Sequence, residues 1–178
     1  MHVATTSSSP ILPEGVVLRE AQKSDDGATE ALAAAVFGPG RFAKTAYRLR
    51  RDNPPVEALC HVCTVDERLV AAITFSRVLI GETRALLLGP LAVEHAWKNR
   101  GIGLALMQTG LNKAQASGES LFILVGDAPY YARAGFEPVP RGQMQMPGPV
   151  DPARLLAFAL VPGALERAIG AVRPALRG

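Results

Sequence analysis

Short apolar runs alternate along the chain with stretches where apolar residues recur every three or four positions, punctuated by glycine and proline. Val16 to Glu20 reads as a short strand. Ser24-Asp25-Asp26 offers N-caps for a helix carrying Ala28, Leu32, Ala35 and Val36, ended by Gly38-Pro39-Gly40. A second helix, Arg41 to Arg51, carries Phe42, Ala46 and Leu49 among basic residues and stops before Asn53-Pro54-Pro55. Strands from Glu57 to Asp66 and from Leu69 to Leu79 meet at the polar turn Asp66-Glu67-Arg68, and Gly81-Glu82-Thr83-Arg84 makes the next turn.

Arg84 to Val93 is almost wholly apolar, as a central strand covered on both faces must be. It contains Gly89-Pro90, and proline cannot donate to a sheet ladder, so the strand should bulge or splay there. From Gly101 to Ser117 an amphipathic helix carries Leu104, Met107, Leu111 and Ala114, a core stripe that Gly118 ends. Ser120 to Val125 is a second buried strand. Strand, helix, strand is a right-handed crossover, which makes these two strands parallel neighbours. Gly126-Asp127 opens a short helix bearing Tyr130 and Tyr131, Phe136 starts a strand, Pro147-Gly148-Pro149 is a loop, and Leu155 to Val161 is a last strand. Residues 1–15 read as a flexible leader, 16–161 as one domain, and 162–178 as a tail that is a small helix or loosely held.

Composition narrows the classes. The 178 residues, 48% hydrophobic and 20% charged, are ordinary for one soluble globular domain. No apolar run approaches the ~20 residues of a membrane span, and the N-terminus lacks the basic and apolar regions of a signal peptide, so a cytoplasmic location is expected. The net charge of +3 is spread along the chain and suits an anionic cofactor better than nucleic acid, for which the basic Arg41 to Arg51 helix is the one weak candidate. Cys60 and Cys63, on a strand, should face opposite ways and hold no metal.

The chemistry gathers after the apolar strand, in Leu91-Ala92-Val93-Glu94-His95-Ala96-Trp97-Lys98-Asn99-Arg100-Gly101-Ile102-Gly103-Leu104. Two glycines stand at the first turn of a helix, where four N–H groups lack partners and the macrodipole adds positive charge. With Lys98 and Arg100 alongside, this is a seat for a pyrophosphate. Lys98-x-x-Gly101-x-Gly103 resembles the [Gln/Arg]-x-x-Gly-x-[Gly/Ala] motif of the GNAT superfamily of N-acetyltransferases, with Lys98 departing from the first position. Downstream, Tyr130-Tyr131-Ala132-Arg133-Ala134-Gly135-Phe136 resembles that family's aromatic-Tyr-x-[Lys/Arg]-x-Gly-Phe signature.

The resemblance implies an α/β fold, with a central mixed, mainly antiparallel sheet of about seven strands and helices on both faces. It implies acetyl-CoA as co-substrate, no metal, and transfer of the acetyl group to a primary amine. Leu91, Ala92 and Val93 would meet the pantetheine arm, and Lys98, Asn99, Arg100, Gly101, Ile102, Gly103 and Leu104 the pyrophosphate. Tyr131 corresponds to the tyrosine that protonates the departing thiolate. Phe37, Arg41 and Phe42, at the junction of the first two helices, would face the acceptor, a small molecule or peptide. The family's usual Asn seven residues before the tyrosine is replaced by Leu124, with Gly126-Asp127 following. The base is therefore open among Asp127, Glu94, His95, His61 and a water relay. Association into a homodimer is open too. A non-catalytic acyl-CoA-binding module is the rival reading, and Tyr131 leans against it.

Overall fold

The computed structural model describes residues 11–176, so the first ten residues of the expected leader lie outside the described residues. Of the remainder, Leu12 already packs on the core and the Val16 N–H donates to the Pro13 carbonyl. The strands are β1 (Val16–Glu20), β2 (His61–Val65), β3 (Arg68–Ile80), β4 (Thr83–Val93), β5 (Leu121–Val125), β6 (Glu137–Pro138), β7 (Met144–Gln145), β8 (Leu155–Ala159) and β9 (Gly170–Pro174). The helices are α1 (Asp26–Phe37), α2 (Thr45–Arg50), α3 (Ile102–Ala116), α4 (Ala128–Ala132) and α5 (Ala164–Arg167).

One sheet runs β1-β2-β3-β4-β5-β8-β6, with β9 beside the end of β3 and β7 beside β9. All pairings are antiparallel except β4 with β5 and β7 with β9. The β2–β3 hairpin turns at Asp66 and Glu67, both at positive φ, the primed geometry that matches strand twist. Helix α3 covers one face through Ile102, Leu106, Met107 and Leu111, packed on Ile73, Phe75, Leu86 and Phe122. Leu32 of α1 and Leu49 of α2 lie in separate clusters, the first with Val62, Ala72 and Ala92, the second with Val78, Leu87 and Ile123.

Glycine at position 110 is set by a ring: a Cβ there would overlap the buried Phe75 side chain. Gly110→Ala should therefore destabilise although alanine is the better helix former. Overpacking outweighs the ~1 kcal/mol of propensity, leaving a net loss of about 1–2 kcal/mol, or roughly 2–8 °C in Tm by circular dichroism.

Three expectations change. The segment from Glu57 to Leu59 is a 3-10 turn, closed by the Cys60 N–H on the Glu57 carbonyl, and the strand begins only at His61. Cys60 thus precedes the strand and the alternation argument does not apply to it. Its thiol donates to the Val56 carbonyl at 3.3 Å, while Cys63 sits in the core beneath α3. The expected helix 41–51 is split into a 3-10 turn at Pro39–Ala43 and α2. The expected tail holds α5 and β9, and β9 registers Val172, Arg173 and Pro174 against Ile80, Leu79 and Val78.

Candidate active site

The site begins where β4 leaves β5. The two pair in parallel only at Leu86–Phe122 and Leu87–Ile123. Just beyond, Gly89 and Pro90 together oppose the single residue Thr74, between the Leu88–Phe75 and Leu91–Ile73 pairs. An extra residue in one strand breaks the ladder and shifts its parity. Leu86 and Leu88 face α3 before the bulge, and Leu91 and Val93 face it after. Ala92 points the other way, buried at 3% exposure with Leu32 and Val62. Because the Glu94 N–H donates to the Val70 carbonyl, alternation turns the main chain of Ala92 toward β3 and that of Leu91 and Val93 toward the opening. Two of the three residues expected to meet the pantetheine arm thus face the gap, and Ala92 does not.

Past Val93 the chain turns through Glu94, His95 and Trp97 and enters α3. Asn99 and Gly101 both hold positive φ, 61° and 81°. A Cβ on Gly101 would meet open space, so conformation and access explain that glycine. Gly103 has a different reason, since a Cβ there would overlap the Tyr130 hydroxyl. The glycine turn and the tyrosine helix are therefore in direct contact. The first hydrogen bond back into the helix start is Ala105 N–H to Gly101 carbonyl, which leaves the N–H groups of Ile102, Gly103 and Leu104 for a ligand.

A cavity of about 380 Å³ lies over this turn, lined by Leu91, Val93, Lys98, Asn99, Gly101, Ile102, Gly103, Leu104, Tyr130 and Tyr131 among others. Arg100 is outside it, with its guanidinium 4.9 Å from the Trp97 ring centroid. A larger cavity of about 440 Å³ lies across the splay, bounded by α1 and α2, the Leu88–Leu91 bulge, the start of α4 and the Pro149–Arg154 loop. Phe37, Leu91, Tyr130 and Tyr131 line both.

Asp127 N-caps α4, accepting the Tyr130 N–H at 3.3 Å, and holds the two tyrosines at this junction. Their rings meet edge to face at 5.0 Å. The Tyr131 ring edge rests on Gly126, where a Cβ would overlap it. Burial pushes the Tyr131 phenol up to about 12, with the neighbouring Tyr130 adding to the rise and Arg50 and Arg154 opposing it. It stays protonated across the range in which proteins work.

Of the residues expected at the acceptor, Phe37 and Arg41 line the larger cavity. Phe42 does not: it is 54% exposed, edge-on to Tyr47 and under the Arg41 guanidinium. Among the four side-chain candidates for the base, Asp127 alone lines a cavity. Glu94 is paired with Arg68, and His95 lies exposed on the turn. His61 is 2% exposed with Nδ1 on the Leu59 carbonyl, and burial lowers its pKa.

Sequence reasoning passed over Lys44, Tyr47, Arg50, Asp151 and Arg154, which also line the larger cavity. Arg50 stood inside a helix read for its exposed charge. The available hint was its spacing, four residues after Ala46 and three after Tyr47, which places all three on one side of α2.

A splayed parallel pair with an accessible helix N-terminus on one side and a second cavity on the other is the architecture of an acyl-CoA-dependent acyltransferase. Residues 28–136 match the family model described as the acetyltransferase (GNAT) family, and the chain belongs to that family. It is 31% identical over 120 residues to the uncharacterized N-acetyltransferase YjhQ of Escherichia coli (strain K12), a match spanning 65% of this chain and 66% of that one. That is just under two thirds of the relative's length. The fold is similar to that of the GNAT family N-acetyltransferase YhbS of Escherichia coli, solved in complex with CoA. That similarity has a TM-score of 0.77 at 26% identity and covers 93% of this chain and 91% of that one. A GNAT family acetyltransferase of Brucella melitensis, solved with acetyl-CoA, shares the fold with a TM-score of 0.64 at 24% identity, over 83% and 89% of the two chains.

Proposed function

We propose that this family member transfers the acetyl group of acetyl-CoA to a primary amine that enters through the larger cavity. The observation that carries this reading is the pair of cavities meeting at Phe37, Leu91, Tyr130 and Tyr131 across the β4–β5 splay. The N–H groups of Ile102, Gly103 and Leu104 hold the pyrophosphate, with Lys98 supplying charge at the rim. The pantetheine arm lies against the main chain of Leu91 and Val93. The Leu91 N–H donates to the carbonyl oxygen as it becomes an oxyanion.

Asp127, directly or through a water, takes the proton of the incoming ammonium. The amine nitrogen then bonds to the thioester carbon and sheds its extra proton to solvent, the carbon–sulfur bond breaks, and Tyr131 gives its proton to the departing sulfur. Solvent restores the tyrosine. The two cysteines stand as free buried thiols, which supports a reducing, cytoplasmic setting.

The test is an acceptor screen with purified protein and acetyl-CoA, read by release of free thiol. Amine-dependent thiol release supports the proposal, and tight acetyl-CoA binding without release for any amine replaces it with the binding-module reading. The phosphate seat has its own check. Lys98→Ala should weaken acetyl-CoA binding by at most about 1 kcal/mol, Arg100→Ala should have a smaller effect, and parental affinity should fall as salt rises. Calorimetric affinity indifferent to salt would put the phosphates elsewhere.

A further inference from the structure

The larger cavity is bordered by four cations, Arg41, Lys44, Arg50 and Arg154, and two carboxylates, Asp127 and Asp151. Most are already engaged. Arg41 pairs with Glu30 at 2.8 Å and donates to the Gly38 carbonyl. The Arg154 Nε–H donates to the Gly126 carbonyl at 3.3 Å. Lys44 lies over the Phe37 ring. Each aspartate accepts a main-chain N–H at the start of a helical turn.

Arg50 is the exception. Its Nε is buried with no hydrogen-bond partner, and among the described residues no carboxylate lies within ion-pair range of its guanidinium. Its guanidinium carbon lies 5.5 Å from the Tyr47 ring centroid, its charge is felt by the Tyr131 phenol, and its tip reaches Gly89. Gly89 has φ 128°, and a Cβ there would lie 2.6 Å from Nη2 of Arg50. Absence of a side chain at the bulge thus brings the guanidinium to the mouth of the splay. Burying Nε without a partner is destabilising, and partial desolvation of the guanidinium pulls the Arg50 pKa down to about 10, while its Nη end stays open to the cavity. A fold that holds such a group against its reaction cavity has a use for it in binding an anion.

We infer that the acceptor is a compact amino acid, whose carboxylate docks on the Arg50 guanidinium while its amine faces the thioester. This rests on the larger cavity being the acceptor side. Among the guanidinium groups of this cavity Arg50 alone has no hydrogen-bond partner among the described residues, and a single such group suits one monoanion. The two aspartates of the same cavity oppose a phosphate dianion and attract an ammonium, so both charges of a zwitterion meet their complement. The closeness of Arg50 to Gly89 keeps carboxylate and amine on a small molecule. The planar edge of the guanidinium meets a carboxylate through two parallel N–H donors, which a lysine cannot reproduce.

The test compares free amino acids with their C-terminal amides as acceptors, by thiol release, in the parent, Arg50→Gln and Arg50→Met proteins. In the parent, kcat/KM for the preferred amino acid should exceed that for its amide by at least about 10-fold. Arg50→Gln should raise KM for the amino acid by about 10–100-fold, with the amide and calorimetric acetyl-CoA affinity little changed. Arg50→Met, which removes a charge without an ion-pair partner and its buried, unsatisfied Nε, should melt at or above the parental Tm. Amides acetylated as well as acids would overturn the inference and leave the transferase reading intact. An equal loss with acids and amides in both variants, with a lowered Tm, would also overturn it by making Arg50 a structural residue. If neither class is acetylated, thermal-shift titration with the amino acids decides: stabilisation lost in Arg50→Gln keeps the carboxylate site and removes the transferase reading, whereas no stabilisation removes the site.

Discussion

A Tyr131→Phe enzyme should bind acetyl-CoA as the parent does and turn over about 10²–10⁴-fold more slowly. The substitution keeps the ring that rests on Gly126 and meets the Tyr130 and Phe136 rings, so the packing that seats α4 survives. Only the proton is lost. Burial holds the phenol near 12 and thus protonated at any working pH, which a proton donor requires. That value does not disqualify it as an acid for a thiolate, because the same low-polarity surroundings raise a thiol. The buried Cys63 of this protein is pushed up to about 12 by desolvation alone. No alkaline loss of rate from Tyr131 ionisation is expected below its folded pKa, so a falling kcat between pH 8 and about 10 would belong to another group. Full kcat in a well-folded Tyr131→Phe protein would remove the acid role, and lost affinity with kcat intact would make the ring a wall of the thioester channel.

Gly101→Glu should raise the Kd for acetyl-CoA by more than about 100-fold, since charge-assisted hydrogen bonds contribute about 1.5–3 kcal/mol each and at least two are displaced. Position 101 is the cleaner of the two glycines to change. Its Cβ direction is open, whereas a side chain at Gly103 would also drive out the Tyr130 hydroxyl. Its φ of 81° costs a non-glycine residue about 1–2 kcal/mol. A glutamate there also lies at the positive end of α3, where the dipole recovers part of that loss. The new carboxylate competes for the same N–H groups as the pyrophosphate. Gly101→Ala carries the strain without the charge and should bind acetyl-CoA within a few-fold of the parent. Calorimetry that finds both variants equally weak would assign the effect to backbone conformation, and unchanged affinity in a folded Gly101→Glu protein would move the phosphate seat.

Much of this site is legible in the chain because its signals are local. Helix α3 follows from a sustained apolar period, and its start from glycines at the first turn. The parallel neighbours β4 and β5 follow from one crossover. The bulge follows from Pro90, which has no N–H to give a ladder. Asp127 as the cap of α4 follows from the preference of a helix start for a short acceptor side chain. None of these needs knowledge of what lies across the sheet.

Other features were settled elsewhere in space. Leu91 and Val93 share a face with Leu86 and Leu88, an odd spacing that only the extra residue at the bulge allows, and this leaves Ala92 on the other face. Phe42 and Phe37 look alike as aromatics near a helix junction, and only the 3-10 turn at Pro39–Ala43 exposes one and leaves the other on the cavity. Residues 170–174 carry a weak pattern and become a strand because β3 leaves an edge for them at Val78–Ile80. Arg50 is one of several bases in its segment. Its role comes from Gly89, 39 positions downstream, which lacks the side chain that would keep the guanidinium away. Periodicity and turn chemistry determine which elements form and where they start. Which face a residue turns, and whether a charge keeps its water, depend on contacts between segments distant in the chain, and only the packed structure decides them.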